Sequence, residues 1–172
     1  MTRAFAVDLR GMVDLLARHL YSGPRVYLRE LLQNGVDAVH ARQAQDPGTP
    51  ASVRLIARGD TLDVIDTGVG LSAAEADELL ATIGRSSKRD ELSGRTDYIG
   101  RFGIGMLAAF MVAETIEVVS RSASGSPPVR WRGRDDGTFE IEDDPADVGD
   151  VPVGTRVRLH ARPEAARWMS TD

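Results

Sequence analysis

A carboxylate closes an apolar run and is followed by two glycines: Asp66-Thr67-Gly68-Val69-Gly70, directly after Leu62 to Ile65. Such a carboxylate can accept a hydrogen bond from an amino group. Glycine, with no side chain, lets the backbone approach a flat ligand. A second cluster, Gly100-Arg101-Phe102-Gly103-Ile104-Gly105, precedes an apolar helical stretch. Glycine-rich backbone at a helix N-terminus offers free N–H donors and partial positive charge, which suits phosphate. Its spacing is not that of a P-loop, since no Gly-Lys-Ser/Thr follows, nor the G-x-G-x-x-G of dinucleotide folds. Further upstream, Glu30, Asn34 and Asp37 fall within an arc of about 60° on a helix. That face presents two carboxylates and an amide, and Leu28, Leu32, Gly35 and Val39 lie on the opposite side, expected to pack inward. Gly154-Thr155 opens the last strand-like segment. Singly, each feature has an ordinary explanation: a solvated helix face, a strand-to-helix turn, a glycine-rich loop, a β-turn before a strand.

The elements that must hold these groups can be read from periodicity. Val7 to Tyr21 has helical spacing of apolar residues. Pro24 suits the first turn of a second helix running to about Arg42. Asp46 to Pro50 reads as a turn. Val53 to Ala57 and Leu62 to Ile65, joined by Arg58-Gly59-Asp60-Thr61, read as a β-hairpin. Ser72 and Glu75 form a capping box for a short helix. Gly84 to Ile99 reads as a loop and Phe102 to Val112 as an apolar helix. Thr115 to Ser120, Val129 to Trp131, Phe139 to Ile141 and Arg156 to His160 read as strands. Helices come first, strands interrupted by helices follow, and no regular βαβ repeat occurs. This predicts an α+β sandwich of two layers, with helices on one face of a mixed, mostly antiparallel sheet.

The chain has 172 residues, 42% of them hydrophobic, and a formal net charge of -5. That suits one domain with a real core. The absence of cysteine excludes disulfides, zinc–thiolate sites and cysteine nucleophiles. His19, His40 and His160 are scattered, without metal-ligand spacing. The first ten residues lack the apolar core of a signal peptide, and no stretch is long enough to span a membrane as a helix. Mild acidity speaks against nucleic acid as the main partner.

In order, Glu-x-x-x-Asn-x-x-Asp, DxGxG, the glycine cluster and Gly-Thr resemble the motif series of the GHKL ATPases. Longer words narrow the resemblance to the heat-shock protein 90 (HtpG-like) chaperone family. They are Leu20-Tyr21-Ser22, Tyr27-Leu28-Arg29-Glu30-Leu31-Leu32-Gln33-Asn34, Ala81-Thr82-Ile83-Gly84-Arg85-Ser86 and Ile99 to Met106. The resemblance runs from about Leu15 to His160. It implies the Bergerat ATP-binding fold and one N-terminal nucleotide domain over residues 1–172, with a lid at about 84–105. It also implies a longer, homodimeric, cytoplasmic chaperone of which this is a fragment.

The resemblance further implies roles. Glu30 orients and deprotonates the water that attacks the γ-phosphate. Asn34 binds Mg²⁺ through its amide oxygen. Asp66 accepts the adenine amino group of ATP or ADP, with Thr155 nearby through water and Gly70 giving the base room. Asp37 and Leu80 line the nucleoside part of the pocket, and Leu71 also binds the nucleotide. Gly103, Ile104 and Gly105 cradle the phosphates, assisted by Ser86 and Arg85, and Met106 also binds the nucleotide. The chain departs from the family where Leu79 stands in place of asparagine, Arg85 of lysine and Met106 of phenylalanine, and where the lid is short. Slow hydrolysis by this domain alone is expected. Client proteins are the implied partners, with neither nucleic acid nor membrane. Three other readings are a DNA mismatch-repair or topoisomerase ATPase, a nucleotide sensor with little turnover, and a histidine kinase domain. The last lacks a phosphoacceptor helix pair before Glu30.

Overall fold

Apolar alternation and tight turns organise the strands of the described residues into one antiparallel sheet. The computed structural model describes residues 2–4, 11, 25–83 and 106–169. The loop expected at Gly84 to Ile99 and, apart from Gly11, the helix expected over Val7 to Tyr21 lie outside them. Strand β1 (Arg3–Ala4) is followed by helix α1 (Val26–Gln45). The hairpin β2 (Val53–Arg58) and β3 (Thr61–Asp66) comes next, then helix α2 (Ala73–Ile83). The remaining strands are β4 (Ala113–Arg121), β5 (Val129–Arg134), β6 (Thr138–Asp143) and β7 (Gly154–Ala161). A short 3-10 helix, Pro163–Trp168, closes the described chain.

Local chemistry accounts for the element ends. Helix α1 runs past the expected end at Arg42 to Gln45. It stops where the Asp46 carboxylate accepts hydrogen bonds from the Gly48 N–H and the Thr49 hydroxyl, both at 3.1 Å. The hairpin turn is tighter than expected. Arg58 pairs with Thr61, which leaves Gly59 and Asp60 as the loop, and Gly59 takes φ +59. The capping box forms as its residues dictate. The Ser72 N–H donates to the Glu75 carboxylate at 2.9 Å, and the Glu75 N–H donates to the Ser72 hydroxyl at 3.3 Å. Ser72→Ala is expected to cost about 1 kcal/mol of stability, read as a lowered denaturant midpoint.

The strand order is β1-β6-β5-β4-β7-β3-β2. Every pairing among the described residues is antiparallel, so the expected mixture is not realised there. The reason is topological. β3 and β4 run in the same direction, but β7 inserts between them, antiparallel to both. The C-terminal segment thus separates two strands that could otherwise have formed a parallel ladder.

One sheet face carries the core. Directly paired residues project to the same side. Leu62, Leu159 and Ile116 form one buried row across β3, β7 and β4, and Val64, Val157 and Val118 form the next. Tyr27 and Leu31 of α1 and residues 106–110 cover this face, with Met106 and Phe110 fully buried.

Candidate functional site

The third row on the covered face changes character. Asp66, Thr155 and Ser120 are in register across β3, β7 and β4, where the two preceding rows are aliphatic. All three are buried. The Ser120 hydroxyl accepts the Leu71 N–H at 2.8 Å, donates to the Gly154 carbonyl at 3.0 Å and lies 2.8 Å from the Thr155 hydroxyl. Ser120 was not among the sequence candidates. Its signal was present nonetheless: a hydroxyl in phase with Ile116 and Val118 on an alternating strand.

The surroundings of Asp66 alter its ionisation strongly. Its carboxylate accepts the Gly68 N–H at 2.8 Å. Burial pushes its pKa up to about 6, although backbone hydrogen bonds from Gly68 and Thr155 pull the other way. Desolvation wins because two neutral N–H donors replace only part of a carboxylate's hydration.

Helix α1 docks directly on this loop. The Val69 N–H donates to the Ala38 carbonyl at 3.0 Å, and the Arg42 guanidinium donates to the carbonyls of Thr67 at 3.0 Å and Val153 at 3.2 Å. Arg42, also missed from sequence, therefore ties the helix to the ends of both motif-bearing strands. A Cβ on Gly35 would sit 3.5 Å from the Asp66 Cβ.

The glycines of the loop serve the packing of the chain on itself. A Cβ on Gly68 would lie 2.4 Å from the Ala38 Cβ. Gly70 has φ +66, and a Cβ there would fall 1.9 Å from the Arg121 carbonyl oxygen. The sequence explained this glycine by a flat ligand, whereas the backbone of β4 already requires it. Gly70→Ala combines a left-handed backbone with a collision that no rotamer relieves, at a cost of about 3 kcal/mol or more. A thermal melt unchanged from wild type would contradict that.

The helix face also differs from expectation. Tyr27, Leu31, Gly35, Ala38 and Val39 are buried, and so is Asn34, whereas Leu28 and Leu32 are only half-buried. The inward face is therefore centred about 90° from Glu30 on the helix wheel rather than opposite it. Glu30 and Asp37 are half-buried at its border, and Asp37 accepts a hydrogen bond from Gln33 at 2.8 Å. The Nδ2 of Asn34 is buried and makes no hydrogen bond. This arrangement sets the polar edge of α1 beside the sheet layer instead of in open solvent.

Of the other sequence candidates, Leu71 is buried next to Gly70, and Met106 is wholly enclosed in the core. Leu80 lies on α2, with its side chain outside the described residues. Arg85, Ser86, Gly103, Ile104 and Gly105 also lie outside them. No helix among the described residues is long and apolar enough to cross a membrane.

Comparison with known proteins agrees with this architecture. Residues 21–132 match the family described as "Histidine kinase-, DNA gyrase B-, and HSP90-like ATPase". The chain is 32% identical to the chaperone protein HtpG of Rhodopseudomonas palustris (strain BisA53), over 98% of this chain and 30% of that protein. It is 33% identical to the HtpG of Mycolicibacterium vanbaalenii, over 93% of this chain and 28% of the relative. It is 34% identical to the mitochondrial heat shock protein 75 kDa of Bos taurus, over 96% of this chain and 25% of the relative. The chain thus spans 25–30% of the length of these curated relatives. The ordered motifs, the polar row beneath α1 and these similarities together place the chain in the histidine kinase-, DNA gyrase B- and HSP90-like ATPase family, as an HtpG-like ATPase domain.

Proposed function

We propose that this domain binds ATP against the Asp66–Thr155–Ser120 row and hydrolyses it with Mg²⁺, as the nucleotide-driven part of a longer cytoplasmic chaperone. The observation that carries the reading is this polar row. It interrupts an otherwise apolar sheet face at the point where α1 docks. Two backbone N–H donors replace only part of the hydration that a carboxylate buried there has lost, and the adenine amino group is a further donor for it.

Each residue then has a task. Asp66 accepts the adenine amino group, with Thr155 beside it. Leu71, Leu80 and Asp37 border the nucleoside, and Gly70 keeps the adjacent loop close to the strand ends. The phosphates lie against Gly103, Ile104 and Gly105, next to Met106, with Arg85 and Ser86 adding polar contacts. Glu30, one turn from Asn34 on α1, holds and deprotonates the attacking water. The fit to Mg²⁺ rests on Asn34, a buried amide whose Nδ2 is not committed to the fold. Its oxygen is the kind of ligand this cation prefers. When bound, the cation neutralises charge on the phosphates, and catalysis is mainly positioning.

The similarity to the chaperone protein HtpG and to heat shock protein 75 kDa supports client proteins as partners and homodimerisation of the longer protein. Calorimetry with ATP and GTP is the direct test. GTP carries a carbonyl where ATP carries the amino group, so it would set one acceptor against the Asp66 carboxylate. GTP is expected to bind at least about tenfold more weakly, the worth of one lost hydrogen bond to a charged group. Equal affinities would remove Asp66 from adenine recognition. Chelating Mg²⁺ is expected to weaken ATP binding in the wild type and to change little in Asn34→Ala.

A further inference from the structure

On the face of the sheet away from α1, a pocket of about 510 Å³ is lined mostly by residues that the nucleotide reading does not use, with Asp66 and Thr155 at its border. Residues alternate faces along a strand, so the row adjacent to Asp66–Thr155–Ser120 points the other way. That row is Arg54, Ile65, Arg156, Val119 and Arg130, in register across β2, β3, β7, β4 and β5. Ile65 and Val119 give it an apolar floor. Val148, Val151 and Pro152 of the β6–β7 loop form a partly apolar wall. The loop is tethered by Arg130 to Asp147 at 2.7 Å and by Arg121 to Asp150 at 2.7 Å. The volume is that of a small-molecule site.

The charge in this pocket is unbalanced. Arg54, Arg130, Arg132 and Arg156 line it, against Glu117 and Asp147; the Asp66 carboxylate projects to the covered face. Both acids are already engaged. Glu117 binds Arg132 at 2.7 Å, and Asp147 binds Arg130, which also holds Glu142 at 2.9 Å. Arg156 retains only a 3.5 Å contact to the shared Glu117, and its Nε is buried without a hydrogen bond. Arg54 is exposed and has no ion pair among the described residues. Two guanidiniums thus flank an apolar floor with donors to spare, and a guanidinium's fork of N–H groups matches a carboxylate.

We propose that this pocket is a second ligand site, separate from the nucleotide site, for a small organic carboxylate with an apolar body. The carboxylate sits between Arg54 and Arg156, and the hydrocarbon lies on Ile65 and Val119 beneath Pro152. A purely inorganic anion would leave the floor unused, and a neutral apolar molecule would leave both guanidiniums unmatched.

The test is a methyl-detected NMR titration of the chain with sodium octanoate, octanamide and inorganic phosphate, with and without ATP. Octanoate is expected to shift the Ile65, Val119 and Val151 methyls saturably. Octanamide and phosphate are expected to bind at least about tenfold more weakly, and ATP should leave the octanoate shifts in place. Arg54→Gln changes an exposed side chain and should leave the remaining spectrum intact. It is expected to weaken octanoate several-fold, and Arg54→Gln with Arg156→Gln at least about tenfold. Equal binding of octanamide or phosphate, displacement by ATP, or full affinity in the double variant with an otherwise native spectrum would overturn the proposal.

Discussion

Asp66→Asn is expected to abolish detectable ATP binding while making the domain more stable above pH 6. The two effects share one cause. Gly68 donates to one carboxylate oxygen of Asp66 at 2.8 Å. In the variant the amide oxygen must stay there, because the Gly68 N–H needs an acceptor. The amide NH₂ is thereby turned toward the adenine amino group, donor against donor. Loss of a hydrogen bond to a charged group, with an unmatched donor pair left behind, is worth more than a hundredfold in affinity. Calorimetry that finds unchanged affinity would refute the assignment.

The stability effect follows from linkage. The Asp66 pKa is raised from 3.8 to about 6 in the folded state. The folded protein therefore holds this proton more tightly than the unfolded chain does. Stability falls as pH rises through the interval from 3.8 to about 6 and is lowest, with respect to this group, above it. A rise of that size corresponds to a cost of about 3 kcal/mol when the carboxylate is ionised. Asparagine removes the charge and keeps the acceptor, so at pH 8 the variant should melt at a higher temperature than wild type, and the difference should shrink toward pH 4. ATP binding by the wild type has the opposite dependence. It needs the ionised acceptor, so affinity is expected to fall about tenfold per pH unit below the pKa. An affinity independent of pH between 5 and 8 would show that the carboxylate is not the adenine acceptor.

The second large effect concerns turnover. Glu30→Ala is expected to bind ATP within a few-fold of wild type and to lose turnover by about 10²–10⁴-fold, the contribution of a positioned general base. Glu30 is half-buried at the border of the inward face of α1, so its removal leaves the Tyr27–Leu31–Ala38 packing untouched. Phosphate release measured on the longer protein, alongside calorimetry on this domain, separates the two quantities. Retained turnover would take Glu30 out of the mechanism, and lost binding would make it a positioning residue for the nucleotide.

The readings that succeeded were those in which the deciding interactions are local. Ser72 and Glu75 lie three residues apart and cap α2 by direct reciprocal hydrogen bonds. Gly59 sits at the turn of a hairpin whose strands are adjacent in sequence, and the strands from Thr115 onward alternate because one face is buried. Asp66 and Gly154-Thr155 were recognisable as strand-end motifs for the same reason. Where the deciding interaction was distant, the sequence misled or was silent. Gly70 answers to the carbonyl of Arg121. The inward face of α1 is set by the Asp66 loop, which docks on Ala38, and not by the apolar residues Leu28 and Leu32.

Among the described residues, the sequence by itself therefore determined most of the element types, their order and the motif residues that place this chain in its ATPase family. It could do so because capping, turn formation and alternation act over a few residues. Only the tertiary structure decided that β7 inserts between β3 and β4. That insertion puts Thr155 and Ser120 in line with Asp66, raises the Asp66 pKa by burial and turns a row of arginines to the opposite face. Strand register across the sheet is chosen by the packing of all seven strands together, so no local stretch of sequence carries it.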